Sequence, residues 1–232
     1  MSHDLNHVAL GLHHVEPVLD QMVTRLGARV LHGGYGPGFR GVQVQVGAAG
    51  MVVELLEPHG VEVTDFLVRF LGARGEGPHH LTFIVDDLAD EVDRLRRLGH
   101  RPIGVQLSDP FWKECFLEPG RAHGTVVQIA EMSPHDPTEG DWPRRWWRDP
   151  PEAAAGDATL RRVVLGSPRP DQAASFYAEV LGGVPDGPDL CWPGGGRVRF
   201  ELAADAGIDR FEVADLGSPM EIGGARFAPA RD

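Results

Sequence analysis

The residues of this chain whose types and spacing point to chemistry are two histidines at matching places in two similar stretches. Leu5-Asn6-His7-Val8-Ala9-Leu10 and His79-His80-Leu81-Thr82-Phe83-Ile84 share one pattern, with His7 and His80 lying 73 positions apart. Read as strands, alternation places His7 with Ala9, and His80 with Thr82, on one face, and aliphatic or aromatic residues on the other. A later strand in each stretch adds an oxygen ligand. Glu54 shares a face with Val52 and Leu56, and Gln128 holds the corresponding place in Thr125–Ala130. Paired copies would bring His7, Glu54, His80 and Gln128 together. Two imidazoles, one carboxylate and one amide suit an octahedral divalent metal ion (Mn, Fe, Co, Ni or Zn), with positions left for water or substrate. A carboxylate on an apolar strand face is costly unless its charge is matched, and no Lys or Arg adjoins Glu54 in sequence. Taken singly, these residues read as hydrogen-bonded core histidines and an edge-strand acid. Four at one register read as metal ligands. Glu54 and Gln128 are the candidate catalytic residues, Glu54 as the ligand able to shuttle a proton.

The elements that must position these residues recur. The spacing predicts a helix from Glu16 to Leu26 ended by Gly27, then a meander through Arg29–Leu31, Gly41–Val46 and Met51–Leu56. The second copy predicts a helix from Leu88 to Leu98 ended by Gly99, then strands at Arg101–Val105, Glu114–Leu117 and Thr125–Ala130. A βαβββ unit is therefore duplicated over 5–58 and 78–131, making a domain of residues 1–131. Residues 132–157, rich in Pro and Trp, read as a linker that Trp142, Trp146 and Trp147 pack back on the body. A third copy opens at Leu160–Leu165, with a helix at Pro170–Leu181 stopped by Gly182; residues 158–232 read as a partial, degenerate module. There Arg162 and Arg210 stand at the histidine place and Glu201 at that of Glu54, which suggests an ion-pair network, since guanidinium offers no lone pair to a metal.

Six residues beyond the ligands are candidate substrate-binding groups: Phe39, Arg40, Trp112, Lys113, Arg121 and His123. Arg121 and His123 precede the last strand of the second copy, where they could hold a carboxylate or phosphate or exchange a proton. Gly33-Gly34-Tyr35-Gly36-Pro37-Gly38 lacks the Lys-Ser/Thr ending of a phosphate loop and reads as a mobile hairpin over the pocket.

Composition narrows the partners. A formal charge of −12 argues against nucleic acid and anionic membrane surfaces, and no apolar run reaches the length of a span. The N-terminus, Met1-Ser2-His3-Asp4, lacks a signal-peptide pattern, and Cys115 and Cys191 show no metal-type spacing, so a cytoplasmic setting is expected. The partner expected is a small-molecule substrate, with the modules pairing within one chain or across a homodimer.

In order and spacing, Leu5-Asn6-His7-Val8-Ala9, Val53-Glu54-Leu55-Leu56-Glu57-Pro58, His79-His80-Leu81 and Phe116-Leu117-Glu118-Pro119 with His123-Gly124-Thr125-Val126-Val127-Gln128 resemble the vicinal oxygen chelate superfamily. This is the glyoxalase, bleomycin-resistance and extradiol-dioxygenase group, and methylmalonyl-CoA epimerase-like glyoxalase proteins are the most similar. The resemblance implies an α+β fold of tandem βαβββ modules forming an incomplete barrel around a divalent metal held at His7, Glu54, His80 and Gln128. It also implies that the metal chelates two vicinal oxygens of a substrate. Epimerases of this type carry Glu where Gln128 stands, and a second acid near the place of Phe39. The function expected is a metal-dependent lyase or isomerase/epimerase acting on a small oxygenated substrate, with acyl thioesters among the candidates. The competing classes are a non-catalytic protein binding an antibiotic-like molecule and an extradiol-type dioxygenase.

Overall fold

Each helix ends where the sequence places a glycine that can turn the chain. In a computed structural model describing residues 2–62, 65–133, 146–152 and 156–230, β1 (His3–Gly11) is followed by α1 (Val15–Leu26), which buries Val18, Leu19, Met22, Val23 and Leu26. Gly27 then adopts φ 63°, its amide donating to the Val23 carbonyl and the Ala28 amide to that of Met22. The meander β2 (Arg29–Gly36), β3 (Phe39–Gln45) and β4 (Val52–Pro58) completes the first copy. The glycine-rich segment expected to form a hairpin does so: Tyr35 pairs with Arg40 and Gly36 with Phe39, and Gly38 makes the turn at φ 81°.

A helix that periodicity does not single out, α2 (Phe66–Arg74), joins the first copy to the second. The second copy comprises β5 (Gly77–Val85), α3 (Leu88–Arg97), β6 (Ile103–Gln106), β7 (Trp112–Leu117) and β8 (Val126–Met132). Asp87 caps α3 by accepting the Asp90 amide, and Gly99 turns at φ 83°. The same order recurs as β9 (Thr159–Ser167), α4 (Pro170–Glu179), β10 (Val184–Asp186), β11 (Asp189–Cys191) and β12 (Arg197–Leu202). Three further strands, β13 (Gly207–Ala214), β14 (Met220–Ile222) and β15 (Ala225–Pro229), follow without a helix.

Two sheets result, both open. One runs β2-β3-β4-β1-β5-β8-β7-β6 and the other β10-β11-β12-β9-β13-β15-β14. First and last strands of a copy pair in parallel, β5 with β8, β9 with β12, and β13 with β15. That pairing sets residues of the opening strand beside residues of the closing one.

The compact units cut across chain order. One gathers, among the described residues, 2–7, 80–133 and 162–209. In it Phe83 packs on Tyr177 (6.3 Å) and Trp192 (5.3 Å), and Trp192 Nε1 donates to the Leu181 carbonyl at 2.6 Å. The other gathers described residues from 8–79, 146–161 and 210–230. Val42, Val44, Val53 and Leu55 are buried in it, as is Phe211, stacked on Phe227 at 5.0 Å. No helix among the described residues is long and apolar enough to cross a membrane.

Candidate metal centre

Strand alternation carries His7 and His80 inward on β1 and β5, at 1% and 4% exposure. Glu54 lies on β4, and β4, β1 and β5 are consecutive in one sheet. The rings of His7 and His80 meet edge to face at 6.1 Å, and ligand atoms of His7, Glu54 and His80 all lie within 4.8 Å of one another. Around them, His7 Nδ1 lies 2.8 Å from Asn6 Oδ1. An Nδ1–H donated there leaves the Nε2 lone pair for a ligand bond. Gln43, paired with Glu54 across β3 and β4, donates Nε2 to Glu54 Oε1 at 3.2 Å. A Cβ at Gly41 would stand 3.8 Å from that same oxygen and 3.0 Å from Leu56, so glycine keeps space open beside the carboxylate.

Gln128 falls opposite Thr82 in the parallel β5–β8 ladder, two residues beyond the His80–Val126 pair. Thr82 Oγ1 donates to Gln128 Oε1 at 2.6 Å, and Gln128 Nε2 donates to Glu114 Oε2 at 2.7 Å. Trp112 Nε1 donates to the same Glu114 oxygen at 2.9 Å. The Gln128 amide thus has both ends engaged, and a carboxylate from β7 stands against it. Sequence reading does not single out Glu114. The signal lies in register: Glu114 pairs with Ala130, two beyond Gln128, as Gly41 pairs with Leu56, two beyond Glu54. Position for position, the first copy has glycine where the second has an acid.

The other expected substrate groups are dispersed. Phe39 lies against Phe66 (6.0 Å) and joins the apolar cluster of Ala9, Leu56, Leu67 and Leu71, so α2 covers this part of the face. Next along the strand, Arg40 points the opposite way. It forms an ion pair with Glu57, whose other oxygen accepts the Val15 amide at 2.6 Å, and its guanidinium lies 4.0 Å from the Trp146 ring centre. Trp147 packs on Gly33, so both tryptophans dock on the first copy; Trp142 lies outside the described residues. Lys113 pairs with Glu131 at 2.6 Å, and Glu131 also accepts the first amide of α3. The Leu88 amide and then Lys113 hold the Glu131 carboxyl below its ordinary range. Trp112 shares the strand face of Glu114. His123, at φ 55°, packs on Phe176 of α4 at 5.4 Å, and burial followed by the charge of Arg169 depresses its pKa. Arg121 lies in the same loop, where its charge helps to lower His100.

Beside His80, His79 packs between Phe66 (5.4 Å) and Phe70 (4.7 Å) of α2. Desolvation pushes it down to about 4 against the opposing charge of Glu54. It is a neutral, helix-facing ring.

Repeated βαβββ units with a histidine on the opening strand and an oxygen ligand on the closing one are the signature of the vicinal oxygen chelate superfamily. The family model described as a glyoxalase-like domain matches residues 5–181, and the chain belongs to that family. Solved structures share the fold. A hypothetical protein from Bacillus halodurans C-125 is 23% identical with a TM-score of 0.52, over 59% of this chain and 99% of that one. Methylmalonyl-CoA epimerase from Mycobacterium tuberculosis is 23% identical with a TM-score of 0.51, over 56% of this chain and 89% of that one. A hypothetical protein from Staphylococcus aureus is 12% identical with a TM-score of 0.64, over 98% of this chain and 100% of that one. The last extends the likeness in fold to the C-terminal sheet. Among curated proteins no match was found.

Proposed function

We propose that this protein is a divalent-metal-dependent lyase or isomerase of the vicinal oxygen chelate type, acting on a small oxygenated substrate. Acyl thioesters are the first class to test, because the neighbours of similar fold include methylmalonyl-CoA epimerases. The observation that carries the reading is the convergence of His7, Glu54 and His80 within 4.8 Å. Donor chemistry fits a metal: two imidazoles and one carboxylate would hold a divalent ion with net positive charge, which would supply Lewis-acid polarisation of a substrate oxygen.

The chain's own groups supply the rest. Asn6 fixes the His7 ring, and Gln43 restrains one oxygen of Glu54. Gln128 brings an amide where an acid was expected. Glu114, held by Gln128 and Trp112, is a carboxylate able to accept a proton on that side of the site. Phe39, with the apolar residues of α2, makes an apolar wall over Ala9 and Leu56, the latter two residues from Glu54 on β4.

Elemental analysis of protein purified without chelator tests the metal, and the His7→Ala, His80→Ala double variant supplies the control. One divalent ion per chain in the wild type and none in the variant is the expected result. Failure of the wild type to hold metal after reconstitution would overturn the reading. Solvent deuterium incorporation into acyl-CoA thioesters then tests the chemistry.

A non-catalytic binding role for a small antibiotic-like molecule is the second reading, favoured by the engagement of both ends of the Gln128 amide with Thr82 and Glu114. It requires saturable ligand-dependent quenching of tryptophan fluorescence that survives chelation. Loss of binding on chelation counts against it.

A further inference from the structure

Each of the two N-terminal copies sets one amide and one carboxylate side by side on the last two strands of its meander, but in opposite order. In the first, the residue at the ligand place on the closing strand is the acid: Glu54 of β4 accepts Gln43 Nε2 of β3 at 3.2 Å. In the second it is the amide: Gln128 of β8 donates Nε2 to Glu114 Oε2 of β7 at 2.7 Å. Glu114 pairs with Ala130, two residues beyond Gln128, and alternation puts both side chains on one face. The ligand atoms that cluster within 4.8 Å belong to His7, Glu54 and His80, and Glu114 is not among them. Its hydrogen bonds run to Gln128 and Trp112 instead.

Those bonds decide which way the amide faces. Thr82, fully buried on the β5 face that carries His80, donates its Oγ1 hydrogen to Gln128 Oε1 at 2.6 Å. A carboxylate only accepts, so Glu114 takes the amide nitrogen, and turning the amide over would set Oε1 against Glu114 Oε2. Trp112 Nε1, 2.9 Å from the same oxygen, holds the carboxylate in place. The amide oxygen is therefore the atom on the β5 side. With one lone pair given to Thr82 it keeps a second. The bond from Nε2 to Glu114 is charge-assisted, and by polarising the amide it makes that oxygen a better donor, as a carboxylate behind a ligating imidazole does.

We infer that Glu114 is a positioning residue: acting through Gln128, it presents the amide oxygen as a neutral ligand for the divalent ion and raises its donor strength. In the first copy an amide steadies a ligating acid, and in the second an acid steadies a ligating amide. The inference rests on the metal reading and extends it to a residue outside the cluster of His7, Glu54 and His80.

Cobalt(II) binding to the full chain tests it, with affinity read from competition against a chromophoric chelator and the ligand set from the visible absorption bands. Gln128→Ala and Glu114→Ala are each expected to weaken cobalt binding about 10- to 100-fold and to shift the bands alike, and the double variant to bind no more weakly than Gln128→Ala. Glu114→Gln keeps an acceptor but loses the charge, so its affinity is expected between those of the wild type and Glu114→Ala. A residue serving only the fold would lower the unfolding midpoint of the metal-free protein and leave cobalt affinity and bands as they are. Wild-type protein that takes up no cobalt would overturn the metal reading and this inference with it. Where the wild type does bind cobalt, three results would overturn the inference alone: unchanged affinity and bands in Glu114→Ala, unchanged affinity in Gln128→Ala, or a Glu114→Ala loss that adds in full on the Gln128→Ala background. Should Glu114→Ala fail to fold, the isosteric Glu114→Gln decides by the same comparisons.

Discussion

Thr82 and Gln128 face each other across the parallel β5–β8 ladder, and the threonine hydroxyl donates to the glutamine carbonyl at 2.6 Å. With its amide donating to Glu114, Gln128 is held in one orientation next to His80. The acid expected at position 128 is displaced to position 114.

That displacement predicts a charge conflict. Gln128→Glu sets a second carboxylate against Glu114 Oε2 and loses the amide donor. The expected loss of stability is about 1–3 kcal/mol at neutral pH. Glu114→Gln in the same chain restores most of it. Denaturant unfolding of the two single variants and the double variant measures the coupling; additive losses would show that the two side chains do not interact.

Arg40 and Glu57 form a pair in which Glu57 also caps the start of α1. Arg40→Ala is expected to cost about 2–3 kcal/mol, below the value for a fully buried pair because the Arg40 side chain is 29% exposed. Removing the ring that lies over it, by Trp146→Ala, costs about 1 kcal/mol. Metal content is expected to be unchanged in both, because Arg40 points away from the face of Glu54. Loss of metal in Arg40→Ala would place that residue at the site after all.

Acid lability is expected from Glu91, which is fully buried against His3 and Arg94. Burial pushes its carboxyl up, but the hydrogen bonds and charges of Arg94 and His3 outweigh this and hold it below its ordinary 4.5. A carboxyl depressed on folding stabilises the protein above its unfolded value, and that contribution is lost as pH falls through the folded one. Stability measured from neutral pH down through the carboxylate range should fall less steeply in Glu91→Gln than in the wild type. Equal slopes would remove Glu91 from the account.

The two thiols should separate kinetically. Burial, followed by the charges of Glu91 and Glu114, pushes Cys115 up to about 12. Cys191, half-buried and also raised, is nearer solvent. In the folded protein a thiol reagent at mildly alkaline pH is expected to modify Cys191 slowly and Cys115 not at all, and both in denaturant. Peptide mapping by mass spectrometry reads this directly.

Much of the fold is legible in local pattern. Helix-ending glycines at 27, 99 and 182 adopt positive φ at all three places, because only a residue without Cβ turns there without strain. The recurrence of strand, helix and meander marks each copy. Helix α2 escapes such reading: it buries only Leu67 and Leu71, too few apolar positions to make a stripe. Yet α2 covers the face next to Glu54 and encloses His79.

Sequence by itself determined which residues of one strand share a face, so His7 goes with Ala9, His80 with Thr82 and Glu54 with Leu56. It did so because alternation is a property of a single extended chain. Tertiary structure alone decided which face of one strand meets which face of the next. The pairing of Gln43 with Glu54 turns Arg40 away, and the pairing of Phe116 with Gln128 turns Glu114 toward the amide and Lys113 toward α3. Register is set by hydrogen bonds and packing between residues far apart in the chain, and one step of register exchanges the two faces.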